Sequence, residues 1–198
     1  ASPVTTSVYN VSVTDANNCT VATANITVTV APSLSVTASA DLTQCLGTTA
    51  NMSAVAAGGN GVYTYTWATG TTPATGSNVS ATPNSTTTYT VTLTDGCGTT
   101  AVSDTVVVTV NQPPVLALSV DILNGCEPVC PTFSLTSTPA AVTSNWLFSD
   151  GQVANNIITP QKCFATAGIY GAAVNVTDAN GCTNSITNNA MVTVYPNP

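Results

Sequence analysis

Three stretches of the chain share one pattern: a strand opened by Tyr runs into Thr-Asp, a polar turn and a Cys. They read YNVSVTDANNC from Tyr9 to Cys19, YTVTLTDGC from Tyr89 to Cys97, and YGAAVNVTDANGC from Tyr170 to Cys182. Each is followed by a second alternating run that ends in Thr-Val: ITVTV at 26–30, VVVTV at 106–110 and MVTV at 191–194. The three aspartates stand at 15, 95 and 178, about 80 and 83 residues apart, which is the size of a small sandwich domain. Alternation with period two places Thr and Val on opposite faces of a pleated strand. The pattern therefore predicts a closing hairpin in each of three repeats, packed against the other strands of that repeat.

What surrounds the hairpins agrees with this. Only 5% of residues are charged while 43% are hydrophobic, and Thr, Val, Ala, Asn and Ser dominate, which suits strands and turns. Lys162 is the sole cation against eight acids, for a formal charge of −7. Nucleic-acid binding and attraction to an anionic membrane both require clustered Lys and Arg, so neither is expected. No apolar run reaches the length of a membrane span, because Thr interrupts every strand. A signal peptide, which needs a charged segment and an apolar one, is expected upstream or already removed. The sequence has no His, which removes general-base triads and the commonest metal ligand. Seven Cys without a CxxC pair read as disulfides in an oxidising compartment rather than as a zinc site.

The repeats divide the chain at 31 and 112. Residues 1–31 hold only the last hairpin of an incomplete domain, with an edge and an apolar face uncovered. The partner of Cys19 is accordingly expected outside this chain, in upstream sequence or in a second subunit. Residues 32–112 form a complete unit with Cys45 near its start, Trp67 between, and Cys97 at its closing turn. These positions predict a Cys45–Cys97 bridge. Residues 113–198 follow the short linker Gln112-Pro113-Pro114, which is expected to join the units closely. By repeat position Cys126 matches Cys45 and Cys182 matches Cys97, so the expected bridges here are Cys126–Cys182 and Cys130–Cys163.

The third unit resembles a PKD domain, an Ig-like sandwich of surface proteins. The resemblance rests on Trp146-Leu-Phe-Ser-Asp150-Gly151, with Ser149 where the family usually has Gly. It continues through Pro160, Phe164, Ala167-Gly168-Ile-Tyr170 and Val176-Thr-Asp178. The second unit, with GGNGVYTYTWATG and SATPNSTTTYTVTLTDGCG, is similar to the Ig-like repeats of very large secreted Bacteroidetes proteins. Val194-Tyr195-Pro196-Asn197-Pro198 also occurs in that group, between PKD repeats and at the start of the type IX secretion signal. The resemblance implies an all-β chain of tandem, disulfide-stapled Ig-like sandwiches, the last one PKD-like. It also implies an exported protein, on the cell surface or released, of the adhesin or gliding-motility-associated kind.

Few residues are candidates for chemistry. Asp15, Asp95 and Asp178 occupy equivalent turns about a domain apart, so they cannot work as a carboxylate pair and are expected to bind turn amides. Calcium at a domain junction would call on Asp121, Glu127 or Asp178, although no dense acidic run is present. Otherwise no cofactor is expected. Tyr63, Tyr65 and Trp67 alternate with Thr and share one face, which either stacks on sugars or faces the core. Asp104-Thr105-Val106 matches a Bacteroidetes O-glycosylation pattern at Thr105. Two functions fit: a non-enzymatic extracellular stalk, adhesin or filament, whose partners are copies of itself or neighbouring repeats, or glycan-binding or spacer modules of a secreted hydrolase.

Overall fold

The computed structural model describes residues 2–68 and 70–198, with only the backbone of Thr20 and Val21. All regular structure among them is β. The first hairpin pairs β1 (Ser7–Thr14) with β2 (Thr20–Val28), antiparallel, in register from Ser7↔Val28 to Val13↔Ala22. Next come β3 (Ser35–Ala38), β4 (Leu42–Cys45), β5 (Ala50–Ala57), β6 (Tyr63–Trp67), β7 (Asn78–Ala81), β8 (Thr87–Asp95) and β9 (Val102–Asn111). They form a three-stranded sheet β3-β5-β7 and a four-stranded sheet β4-β9-β8-β6. The last group is β10 (Val115–Val120), β11 (Asn124–Cys126), β12 (Phe133–Thr138), β13 (Ala141–Phe148), β14 (Val153–Asn155), β15 (Gly168–Asp178) and β16 (Thr183–Tyr195). Here β10 pairs with β12, and the other five run in the order β11-β16-β15-β13-β14.

Two compact units result. The first comprises Ala1–Leu42, Thr49–Ala81 and Thr88–Val107; the second comprises Thr43–Thr48, Thr82–Thr87 and Val108–Pro198. In the first unit the core is Leu34, Met52, Ala54, Trp67, Val79, Tyr89, Val91, Leu93 and Val106. The alternation that the sequence shows is seen directly in β8, where Tyr89, Val91 and Leu93 are buried and the Thr residues between them are not. The β1–β2 hairpin differs. Its apolar face carries Val11, Val13, Ile26 and Val28, and all four are exposed, Val13 and Ile26 at 55% each.

The second unit has a richer core, with Phe133, Trp146, Phe148 and Phe164 packed among Val174, Val176, Val192 and Val194. Phe133 meets the other three rings edge-on, at centroid distances of 5.2–6.3 Å. Aromatic pairs favour that geometry, which sets the positive edge of one ring against the negative face of another. The indole N–H of Trp146 is satisfied inside, donating to the Ile157 carbonyl at 2.7 Å. Tyr170, whose ring stacks on Phe164, donates its hydroxyl back to the Thr166 carbonyl at 2.9 Å and so pins the segment that enters β15. Both repeats use the same device at their first strand. β10 pairs with β12, and the chain then crosses so that β11 lies parallel to the closing strand β16; likewise β3 pairs with β5 while β4 lies beside β9.

Candidate functional site

The aspartate turns are built alike. At the end of β15, Asp178 Oδ1 accepts the amides of Asn180 and Cys182, both at 2.9 Å, and the Asp178 amide donates to the Cys182 carbonyl. At the end of β1, Asp15 Oδ1 accepts Asn17 and Cys19 at the same distances, and the Asp15 amide donates to the Cys19 carbonyl. A carboxylate two and four residues before the amides it accepts closes the turn together with its backbone bonds. At Asp95 the amides are those of Cys97 and Thr99, with the Thr99 hydroxyl adding a bond of 2.8 Å. Cys97 therefore occupies the place of Asn180, two residues ahead of the place that Cys182 and Cys19 fill.

These bonds set the acidities. The Thr99 hydroxyl, helped by the amides of Cys97, Thr99 and Asn60, holds Asp95 below the usual carboxylate range against the opposing effect of burial. Asp104 is held low by the amides of Ala38 and Thr105, and Asp121 chiefly by the amide of Thr132. For Asp150 burial pushes upward, but the hydrogen bond and charge of Lys162 with the Gln152 amide outweigh it, and the carboxyl ends low. Lys162 Nζ lies 2.6 Å from Asp150 Oδ2, donates to Gln152 Oε1 at 2.9 Å, and sits 5.5 Å from the centre of the Phe164 ring. The motif reading missed this pair. A lone cation in an acidic chain was the available signal.

Of the three expected bridges one is present, Cys130–Cys163, and two are not. Cys45 is bonded to Cys182 rather than to Cys97, and Cys126 is not bonded to Cys182; Cys130 is bonded to Cys163. Cys19, Cys97 and Cys126 are free and exposed. Strand length is the physical reason. Cys45 ends β4 beside the far end of β9, where the Leu46 amide donates to the Asn111 carbonyl. Cys97 lies in the turn before β9 begins, and ten strand residues cover about 33 Å. Two cysteines can be bridged only when their Cα atoms lie within about 7 Å. Cys126 and Cys182 are separated in the same way by the thirteen residues of β16. Cys182 instead lies against the Asn111 carbonyl, its Sγ 3.8 Å away, next to Cys45. All four of Cys45, Asn111, Cys182 and Leu46 belong to the second compact unit.

The aromatic face of β6 is turned inward to different depths. Trp67 is only 3% exposed, and its indole N–H donates to the Gly76 carbonyl. Tyr63 and Tyr65 are half-buried, the first donating to the Gly58 carbonyl and the second accepting the Ala56 amide. Thr64 and Thr66 take the exposed positions between them.

The three calcium candidates do not converge. Asp121 accepts the Thr132 amide, Glu127 the Asn197 amide, and Asp178 its own turn. No group of three or more acidic or thiol side chains that could hold a metal occurs among the described residues. Asp178 is 3% exposed, and its Oδ2 has no hydrogen-bond partner there. Thr105 is an exposed residue of β9, and the carboxylate of Asp104 is already occupied by the amides of Ala38 and Thr105. A shallow depression of about 450 Å³ is lined by Asn145, Asn175, Thr177, Thr183, Asn184 and Ser185, amides and hydroxyls with no acid or base among them.

Residues 111–194 match the family model of the PKD domain. No curated protein matches the chain. Among solved structures, three Ig domains of titin, I67–I69, share 12% identity over 79% of this chain and 63% of theirs, with a TM-score of 0.43. Immunoglobulin domains 1–5 of Sidekick-1 share 11% over 96% of this chain and 46% of theirs, at 0.45. Fibronectin(III)-like modules of Clostridium thermocellum CbhA share 16% over 81% and 95%, at 0.34. This chain thus spans less than two thirds of the titin and Sidekick-1 chains, and likeness of this order says nothing of function. On its own residues and the family match, the last repeat of the chain is a PKD/Ig-like domain.

Proposed function

We propose that this chain is a non-catalytic, extracellular structural segment, part of a stalk, adhesin or filament on the cell surface. The observation that supports it most is the Cys45–Cys182 bond, which ties residues of two consecutive sequence repeats across 137 positions. Such bonds form and persist chiefly where the redox poise is oxidising. It keeps the chain covalently closed when noncovalent packing is strained, which suits a load-bearing module. Surfaces of Thr, Ser and Asn carry little charge, and a single Lys offers trypsin almost nothing to cut. The setting that fits is the large secreted surface proteins of Bacteroidetes exported by type IX secretion, with neighbouring repeats of the same protein as the main partners.

The test is thiol trapping on intact cells that express the protein. Cells are quenched in acid, alkylated, and the peptides mapped. Cys45, Cys182, Cys130 and Cys163 are expected to be protected, and brief proteinase K treatment of whole cells is expected to remove the chain. Four alkylated cysteines, or a chain that survives until the cells are lysed, would refute the proposal.

A further inference from the structure

The Cys45–Cys182 bond has two sides, and each side has an unused counterpart elsewhere in the chain. Cys45 stands at the end of edge strand β4, where the Leu46 amide donates to the Asn111 carbonyl at 2.9 Å. Cys126 stands at the end of edge strand β11, in register with Tyr195, and the Glu127 amide donates to the Tyr195 carbonyl at 3.0 Å. Asn111 and Tyr195 each end a closing strand, VTVN in β9 and VTVY in β16. The other side is equally matched. Cys182 is the fourth residue after Asp178 in a turn whose carboxylate binds the amides of residues two and four on. Cys19 is the fourth residue after Asp15 in a turn with the same bonds. Both Cys126 and Cys19 are exposed thiols.

We propose that Cys45–Cys182 is one rung of a repeating staple, in which the edge-strand cysteine of one repeat takes the turn cysteine of the next. Cys126 is the open edge-strand half and takes the turn cysteine of a following repeat of this kind. Cys19 is an open turn half and takes the edge-strand cysteine of a preceding one. In the rung that is closed, Cys182 Sγ lies 3.8 Å from the Asn111 carbonyl. A turn cysteine set in the same way against Tyr195 reaches Cys126. Cys97 falls outside the scheme, because it fills the place of Asn180 rather than that of Cys182.

The step is a thiol–disulfide exchange. One thiol loses its proton, and the thiolate attacks a low-molecular-weight or protein disulfide, giving a mixed disulfide and releasing one thiolate. The second cysteine thiolate attacks that mixed disulfide and forms the rung. In total two protons and two electrons leave the protein, and the oxidant disulfide becomes two thiols.

This inference rests on the extracellular reading above. It is tested on the native protein, isolated under acid quench and non-reducing conditions, by mass mapping of the disulfide-linked peptides. The expected result is the Cys126 peptide joined to a turn peptide whose Cys lies four residues after Thr-Asp. Mass before and after reduction separates a rung within one polypeptide from one between Cys126 and Cys19 of a second copy, and either source upholds the staple. A Cys126→Ser variant, which keeps both observed bridges, is expected to release that turn cysteine as an alkylatable thiol. The staple is overturned if Cys126 is free, joined to Cys97 or to a second Cys126, or capped only by glutathione, while Cys45–Cys182 is intact. If Cys45–Cys182 is itself reduced, the extracellular reading has failed instead.

Discussion

Lys162 is the only cation in the sequence, and the structure places it where its loss can be measured. Its side chain is 12% exposed and that of Asp150, 2.6 Å away, 27%. An exposed ion pair contributes at most about 1 kcal/mol, whereas removing one partner of a fully buried pair costs about 3–5 kcal/mol. This pair lies between the two. A charge-assisted hydrogen bond contributes about 1.5–3 kcal/mol, and the quarter of Asp150 that water reaches lowers this to a coupling of about 1–2 kcal/mol. Contact with the Phe164 ring adds about 0.5–1 kcal/mol to the single substitution. Lys162→Met is therefore expected to destabilise the second unit by about 2 kcal/mol at pH 7.

The same pair predicts a pH dependence. The folded carboxyl of Asp150 lies below its unfolded value, so its stabilisation is present above that value, about pH 3.9, and is lost as pH falls through the folded pKa. Lys162→Met should flatten this part of the acid profile, and Asp150→Asn should remove it. The assay is urea denaturation from pH 2 to 7, read by Trp146 fluorescence in a Trp67→Phe background, on a double-mutant cycle of Lys162→Met and Asp150→Asn. A coupling below about 0.5 kcal/mol at pH 7 would show the pair to behave as an exposed one. So would an acid profile that Lys162→Met leaves unchanged.

Three other outcomes follow from the packing. Gly171 lies where β15 and β16 shift register, and a Cβ there would meet the Asn188 carbonyl at 2.0 Å, so Gly171→Ala should cost about 3 kcal/mol or more in denaturation. Gly181→Ala makes no such contact and tests the contrast, since only its positive φ of 79° is strained there. Replacing Cys130 and Cys163 together by Ala opens a loop of 33 residues and should lower stability by about 4 kcal/mol on the chain-entropy scale, measured against the intact chain. Trp67→Ala should cost about 3–5 kcal/mol and unfold the first unit at moderate urea, seen by loss of near-ultraviolet circular dichroism; a folded variant that had merely lost glycan binding would reverse the core assignment.

Much of the fold was legible because β-structure writes its period into the chain. Tyr89, Val91 and Leu93 alternate with Thr, and burial follows the same alternation. Trp146 and Phe148 of the WLFSD run likewise face the core while Leu147 between them is 53% exposed. The Ser149 substitution was legible as a departure but not as a bond: its hydroxyl accepts the Gly171 amide at 2.7 Å, a contact set by where β15 folds back. Lys162 and Asp150 are twelve positions apart, and no local pattern joins them.

The disulfides show why repeat homology misled. Alignment of the repeats assigns each cysteine to the right element, edge strand or closing turn, but it is silent about which end of the sandwich that element presents. A strand as long as β9 or β16 carries the turn cysteine about 33 Å or more from the edge-strand cysteine of its own repeat. The pole that holds Cys45 is the pole where β9 ends and the following repeat begins, at Asn111. Pairing of the edge-strand cysteine with the turn cysteine of its own repeat is therefore forbidden by the same strand length that makes the sandwich stable, whereas Cys130 and Cys163, which stand at neither place, pair within theirs. Any repeat with an edge-strand cysteine beside the last residue of its closing strand must look to another repeat for a partner. Cys45 has found one in Cys182, and Cys126, set beside Tyr195 in the same way, is subject to the same constraint.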